Sequence, residues 1–147
     1  MFDANLTGID PDAKGTNKVL PKRWFNFQIA DFTSKAGDVY PKDGRTKNND
    51  PMVNVLCEVI DDTEEFNGER VFHTVTFLPA KNTGAGMSVH FLKTIGQPWE
   101  GNVKVDSSQW VGAKFTGYVI TDEYNGKIKN KISEIKLYEP KKDGVPY

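Results

Sequence analysis

Apolar and polar residues alternate from Trp24 to Phe32, with Phe25, Phe27 and Ile29 on one side and Trp24, Asn26, Gln28 and Ala30 on the other. A two-residue period sends successive side chains to opposite faces of a β-strand, so the segment predicts a half-buried first strand. Met52 to Ile60 repeats the pattern, with Val53, Val55, Cys57 and Val59 facing one way and Asn54 and Glu58 the other. This is the second strand, and Cys57 reads as a small buried hydrophobe. A third strand, Glu69 to Leu78, follows a turn containing Asn67-Gly68, a pair that tolerates positive φ, so the second and third strands are expected as antiparallel neighbours. The period then changes. Met87, Phe91, Leu92 and Ile95 fall on one face of an α-helix that opens near Ala85 and is ended by Gly96 and Pro98. Val111 to Ile120 and Ile128 to Leu137 are the fourth and fifth strands, joined through Glu123-Tyr124-Asn125-Gly126.

Five strands with a single helix between the third and fourth is the element order of the OB-fold, a five-stranded Greek-key barrel. Its second and third strands, with the loops joining strands one to two and four to five, bind oligonucleotides or oligosaccharides. The expected fold class is all-β: an arm at residues 1–21 without sustained periodicity, an OB-fold domain at 22–139 and a short tail at 140–147. Residues 33–51 (TSKAGDVYPKDGRTKNNDP) are rich in Gly, Pro, Asn and Asp and read as one long loop between the first two strands. Loops of that length without structure of their own are uncommon unless functional or disordered.

The chain of 147 residues is long enough to bury a core without staples, and 37% hydrophobic residues are too many for a disordered chain. No run of about 18 apolar residues could span a membrane. Met1 to Lys22 shows no secretory pattern, and the lone Cys57 supports neither an internal disulfide nor a zinc site, so a cytoplasmic protein is expected. The net charge of −1 exerts no global pull on phosphate, so any nucleic-acid binding must use segregated charge. Segregation is visible. Glu58, Asp61, Asp62, Glu64, Glu65 and Glu69 make the turn between the second and third strands acidic. Residues 33–49 carry Lys35, Lys42, Arg45 and Lys47 against Asp38 and Asp43, and Tyr124 to Lys136 carries Lys127, Lys129, Lys131 and Lys136 against Glu134.

Binding a single strand needs a basic track for the backbone and exposed rings on which bases stack. Trp24, Tyr40, Phe72 and Tyr124 are the candidate platforms, and Lys35, Lys42, Arg45, Lys47, Lys127, Lys129 and Lys131 the candidate track. Taken singly, each ring is more often a packing residue and each lysine as often merely solvated; their expected convergence on one groove carries the assignment. Enzyme chemistry finds little support. His73 and His90 have no partner at metal-ligand spacing, and no nucleophile signature is present. The acidic run 61–65 lacks the EF-hand pattern, and Thr83-Gly84-Ala85-Gly86 lacks the lysine of a P-loop and the third glycine of a dinucleotide fingerprint. A non-enzymatic protein without metal or cofactor is expected.

Four segments together resemble a phage protein family first described as a domain of unknown function. They are Phe27-Gln28-Ile29 with Thr33-Ser34-Lys35-Ala36-Gly37, Pro51-Met52-Val53-Asn54-Val55, Phe66-Asn67-Gly68-Glu69-Arg70-Val71-Phe72, and Glu123-Tyr124-Asn125-Gly126-Lys127. Its members look like proteins of replication and recombination modules, and the resemblance, running from about Trp24 to Leu137, implies single-stranded DNA binding on an OB-fold. It marks Lys35, Tyr124 and Lys127 as binding positions and implies single-stranded DNA and replication or recombination proteins as partners, with a homodimer left open. Residues 38–50 intervene where the family joins its Ser-Lys-Ala-Gly motif closely to the next strand. The competing expectations are a protein-interaction module on the same barrel without DNA affinity, and an oligosaccharide or small-ligand binder.

Overall fold

A computed structural model describes residues 1, 3–5, 19–60 and 65–140. In chain order the strands are β1 (Arg23–Ala30), β2 (Phe32–Thr33), β3 (Val39–Tyr40), β4 (Lys42–Arg45), β5 (Pro51–Val59), β6 (Arg70–Thr76), β7 (Lys114–Tyr124) and β8 (Lys127–Leu137). Helix α1 (Gly86–Thr94) and a 3₁₀ turn (Ser107–Trp110) lie between β6 and β7. The chain is mainly antiparallel β-structure, and the five long strands and the helix follow the order expected from the alternation. Among the described residues no helix is long and apolar enough to cross a membrane.

The main sheet runs β6-β5-β1-β7-β8 through antiparallel neighbours. On one edge of β5 the half from Leu56 onward pairs with β1, while Pro51 to Asn54 pair with β4. Two antiparallel steps on either side of β1 leave the end strands β6 and β8 both running parallel to it. Their backbones approach each other without forming a ladder, so the sheet curls but does not close.

The inward residues of this curl form one cluster that includes Phe25, Phe27, Val55, Cys57, Val75, Phe115 and Ile132, with Phe91 of α1 and Trp110 of the 3₁₀ turn packed in. Burial pushes the Cys57 thiol pKa up, which leaves it an inert core group. Phe27 and Phe115 stack with centroids 5.5 Å apart. Gly117 is the gap that admits these rings: a Cβ there would meet Ile132 at 3.1 Å and Phe115 and Phe27 at 3.2 Å. Gly117→Ala is therefore expected to overpack the core and lower stability by about 1–3 kcal/mol, read as an earlier denaturant midpoint at unchanged slope.

Three features depart from the sequence reading. The loop 33–51 is largely structured, because β2 and β3 form a two-stranded ribbon and β4 adds to β5. The fourth strand begins at Lys114, since Val111 to Ala113 form a turn that leaves the 3₁₀ segment, with Ala113 N–H donating to the Trp110 carbonyl. The arm ends inside the domain: Leu20 is only 1% exposed, its N–H donates to Asn130 Oδ1 at 2.7 Å and its carbonyl accepts from Asn130 Nδ2 at 2.9 Å. Part of the expected acidic tip, residues 61–64, and the tail 141–147 lie outside the described residues.

Candidate nucleic-acid interface

Even-numbered residues of β5 and β6 point away from the core, which gives an outer face carrying Asn54, Leu56, Glu58, Arg70, Phe72 and Thr74. Leu56 stands on this face between Ala30 and Phe72, yet is 2% exposed and outside the core cluster. The β2–β3 ribbon folds back over this part of the sheet. Tyr40 of β3 meets Phe72 edge to face at 5.1 Å, and Phe32 of β2 carries the Arg70 guanidinium at 4.4 Å over its ring. Phe72 nevertheless stays 55% exposed. Two candidate platforms, distant in sequence, are thus one aromatic patch.

The basic candidates divide. Lys42 lies opposite Asn54, so it shares the outer face with Phe72 and Thr74, while Thr74 donates its hydroxyl to Asn54 at 2.6 Å. A 2.7 Å hydrogen bond to Asp38 raises the Lys42 ammonium above its ordinary pKa, and this exposed pair is weak enough to exchange for a phosphate. Lys35 stands in the turn at the ribbon tip, where Gly37 N–H donates to Ser34 O. Arg45 lies opposite Pro51 and lines a separate cleft with Phe77 and Val105, so the structure places it away from Phe72. Lys47 sits at the exposed β4–β5 turn.

On β8, Lys127, Lys129 and Lys131 alternate with Ile128, Asn130 and Ile132, so the lysines share the face turned away from the buried Ile132. The turn that presents them is built by Asn125 and Gly126, both at positive φ (52° and 76°), the two-residue hairpin geometry. The β8 and β6 backbones approach within 8 Å, and Lys131 is the second cause, after burial, of the lowered pKa of His73. Asp122 stands directly opposite Lys129 and moderates that row. The described residues include the backbone of Tyr124 but not its side chain.

Among the described residues Trp24 makes no ring contact with Tyr40 or Phe72. Lys136 Nζ lies 4.3 Å over its ring, and Tyr118 meets it edge-on at 5.3 Å. Sequence reasoning missed Arg70 and Phe32, although alternation from Phe72 places Arg70 on the same face.

His73 faces inward against Phe91, ring centroids 5.6 Å apart, with Val55 beside it on β5. Burial, aided by Lys131, lowers its pKa from 6.5 to about 4. The unfolded chain binds this proton more readily than the folded one, so the folded state loses stability as pH falls below 6.5, and the loss levels off below 4. The expected drop between pH 7.5 and pH 5 is about 2 kcal/mol, measured by denaturant melts, and His73→Phe should flatten that part of the curve.

No protein-family model matches the chain, and no curated protein matches it as a relative.

Proposed function

We propose that this chain is a non-enzymatic, sequence-nonspecific single-stranded DNA-binding protein on an OB-type barrel, of the kind used in phage replication and recombination. The observation that carries the proposal is the half-exposed Phe72 ring held by Tyr40 on the outer face of β5–β6. The β6-β5-β1-β7-β8 order, with β6 and β8 parallel at the seam, is the cyclic strand order of the OB-fold opened between its third and fifth strands, and supports the fold assignment. Bases stack on the Tyr40–Phe72 patch. Lys42 on one side and Lys127, Lys129 and Lys131 on the other guide the sugar-phosphate chain. Stacking on rings accepts every base, so little sequence preference follows.

The test is an anisotropy titration of labelled oligo-dT across salt concentrations, alongside matched RNA and duplex. Four neutralised phosphates give an expected slope of log K against log salt of about −3 for a single strand. Absence of binding at low salt overturns the proposal. The exposed Val39 and Phe72, set in a chain of near-zero net charge, also favour a protein-interaction module, and co-purification of a stoichiometric protein without any oligo-dT affinity selects it.

A further inference from the structure

Where β6 and β8 meet without a ladder, a cleft of about 400 Å³ opens beneath α1. Trp24 and Ile135 wall one side, His73 and Val75 the other, and Met87 and Phe91 the roof. Met87, which its spacing places on the buried helix face, is instead 70% exposed, at the cleft. The roof is pinned, because His90 Nε2 donates to the Ile135 carbonyl at 3.0 Å. Size and chemistry restrict what fits. An inserted β-strand needs its flanking strands about 9.6 Å apart, two inter-strand spacings, whereas Cα atoms of β6 and β8 come within 8 Å. Lys136 Nζ lies over the Trp24 ring, but among the described residues the lining itself includes Glu134 and no Lys or Arg. It does include the hydroxyl residues Thr74, Thr76 and Ser133 between ring-bearing walls, which suits an uncharged planar heterocycle with donors and acceptors. The cleft also continues the aromatic patch: Thr76 is four residues beyond Phe72 on β6, about 13 Å along the strand.

We propose that this cleft holds one unstacked nucleobase of the strand bound on the Tyr40–Phe72 face, an inference that rests on the single-strand reading. Free thymidine, which has a base and no phosphate, is the probe. At millimolar concentration it is expected to shift the Trp24 indole and His73 ring resonances in NMR spectra of the wild-type protein. Thr76→Trp, which fills the cleft, should abolish those shifts and weaken oligo-dT binding about tenfold. If oligo-dT binds the wild type while thymidine leaves Trp24 and His73 unmoved, the cleft assignment falls and the single-strand reading stands. If neither binds, both fall. Benzene shifting the same resonances as strongly as thymidine overturns the nucleobase assignment.

Discussion

Tyr40→Ala/Phe72→Ala is expected to weaken oligo-dT binding by about 30- to 25,000-fold at fixed salt, because a base stacked on an aromatic ring contributes about 1–3 kcal/mol and two rings are removed, about 2–6 kcal/mol together. Both must go, since the two rings touch and either alone leaves a surface for a base. Phe72 is more than half exposed and Tyr40 lies on a two-residue strand of a separate ribbon, so the inner core keeps all its members. The thermal midpoint should therefore move by a few degrees at most. The salt slope should not move at all, because neither ring carries charge. Lys129→Gln/Lys131→Gln should behave in the opposite way, lowering the slope by about 0.7 for each phosphate that is no longer neutralised while affinity at high salt changes little. Unchanged affinity in the double ring variant, with the fold intact, removes the aromatic patch from the binding surface.

That contrast depends on register as much as on composition. The interval from Tyr124 to Lys136 looks strongly basic as a stretch of sequence, but the face that meets a ligand is set by pairing. Hairpin register puts Asp122 against Lys129 and Glu123 against Ile128, so one acid joins the lysine row and the other points elsewhere. The ribbon has a comparable effect. Lys35, Lys42, Arg45 and Lys47 are close in sequence, yet the Lys42–Arg45 strand sends its ends to opposite faces of the sheet and leaves Lys42 alone beside the aromatic patch. Local net charge thus overstates the cationic surface, and the remaining lysines are the ones whose loss the salt slope should register.

The long strands were legible because each has one buried and one exposed side, which writes a period of two into the residues: Phe25, Phe27 and Ile29 in β1, and Val53, Val55, Cys57 and Val59 in β5. The Asn125-Gly126 turn was legible for a different reason, its demand for positive φ at both positions. β4 was not. Its four residues are all exposed and it contributes nothing to the core, so only its hydrogen bonds to β5 make it a strand. Leu20 was missed because a single apolar residue has no period, and its burial depends on the side chain of Asn130, 110 positions away. Met87 satisfied the helical period but sits over an open seam instead of a packed face, and periodicity cannot tell these apart. The pairing of Tyr40 with Phe72 likewise follows from the ribbon folding back, a tertiary event with no local signature.

Trp110→Ala is expected to cost about 3–5 kcal/mol, a large part of the 5–15 kcal/mol that holds an ordinary domain together, and to lower the thermal midpoint by roughly 10–20 °C. The indole is 1% exposed and packs against Phe91 at 5.3 Å and Phe77 at 6.4 Å, so its removal leaves a large cavity between α1 and the sheet. The backbone around it is held too firmly to collapse into that space. Asp106 caps the 3₁₀ turn by accepting from Ser108 N–H, and Ser107 donates its hydroxyl to Asp43 of β4 at 2.7 Å. Gly112 N–H donates to the Ile29 carbonyl while Ile29 N–H donates to the Ala113 carbonyl, which ties the turn to the end of β1. Trp110→Phe should recover most of the loss by restoring ring packing against Phe91. Circular-dichroism melts of the two variants decide the matter, and a drop below about 1 kcal/mol for Trp110→Ala would mean that the turn follows the packing of α1 and does not anchor it. Phe91 also roofs the cleft that includes Trp24, so a loosened Phe91 should weaken thymidine binding in Trp110→Ala even at temperatures where the protein is fully folded.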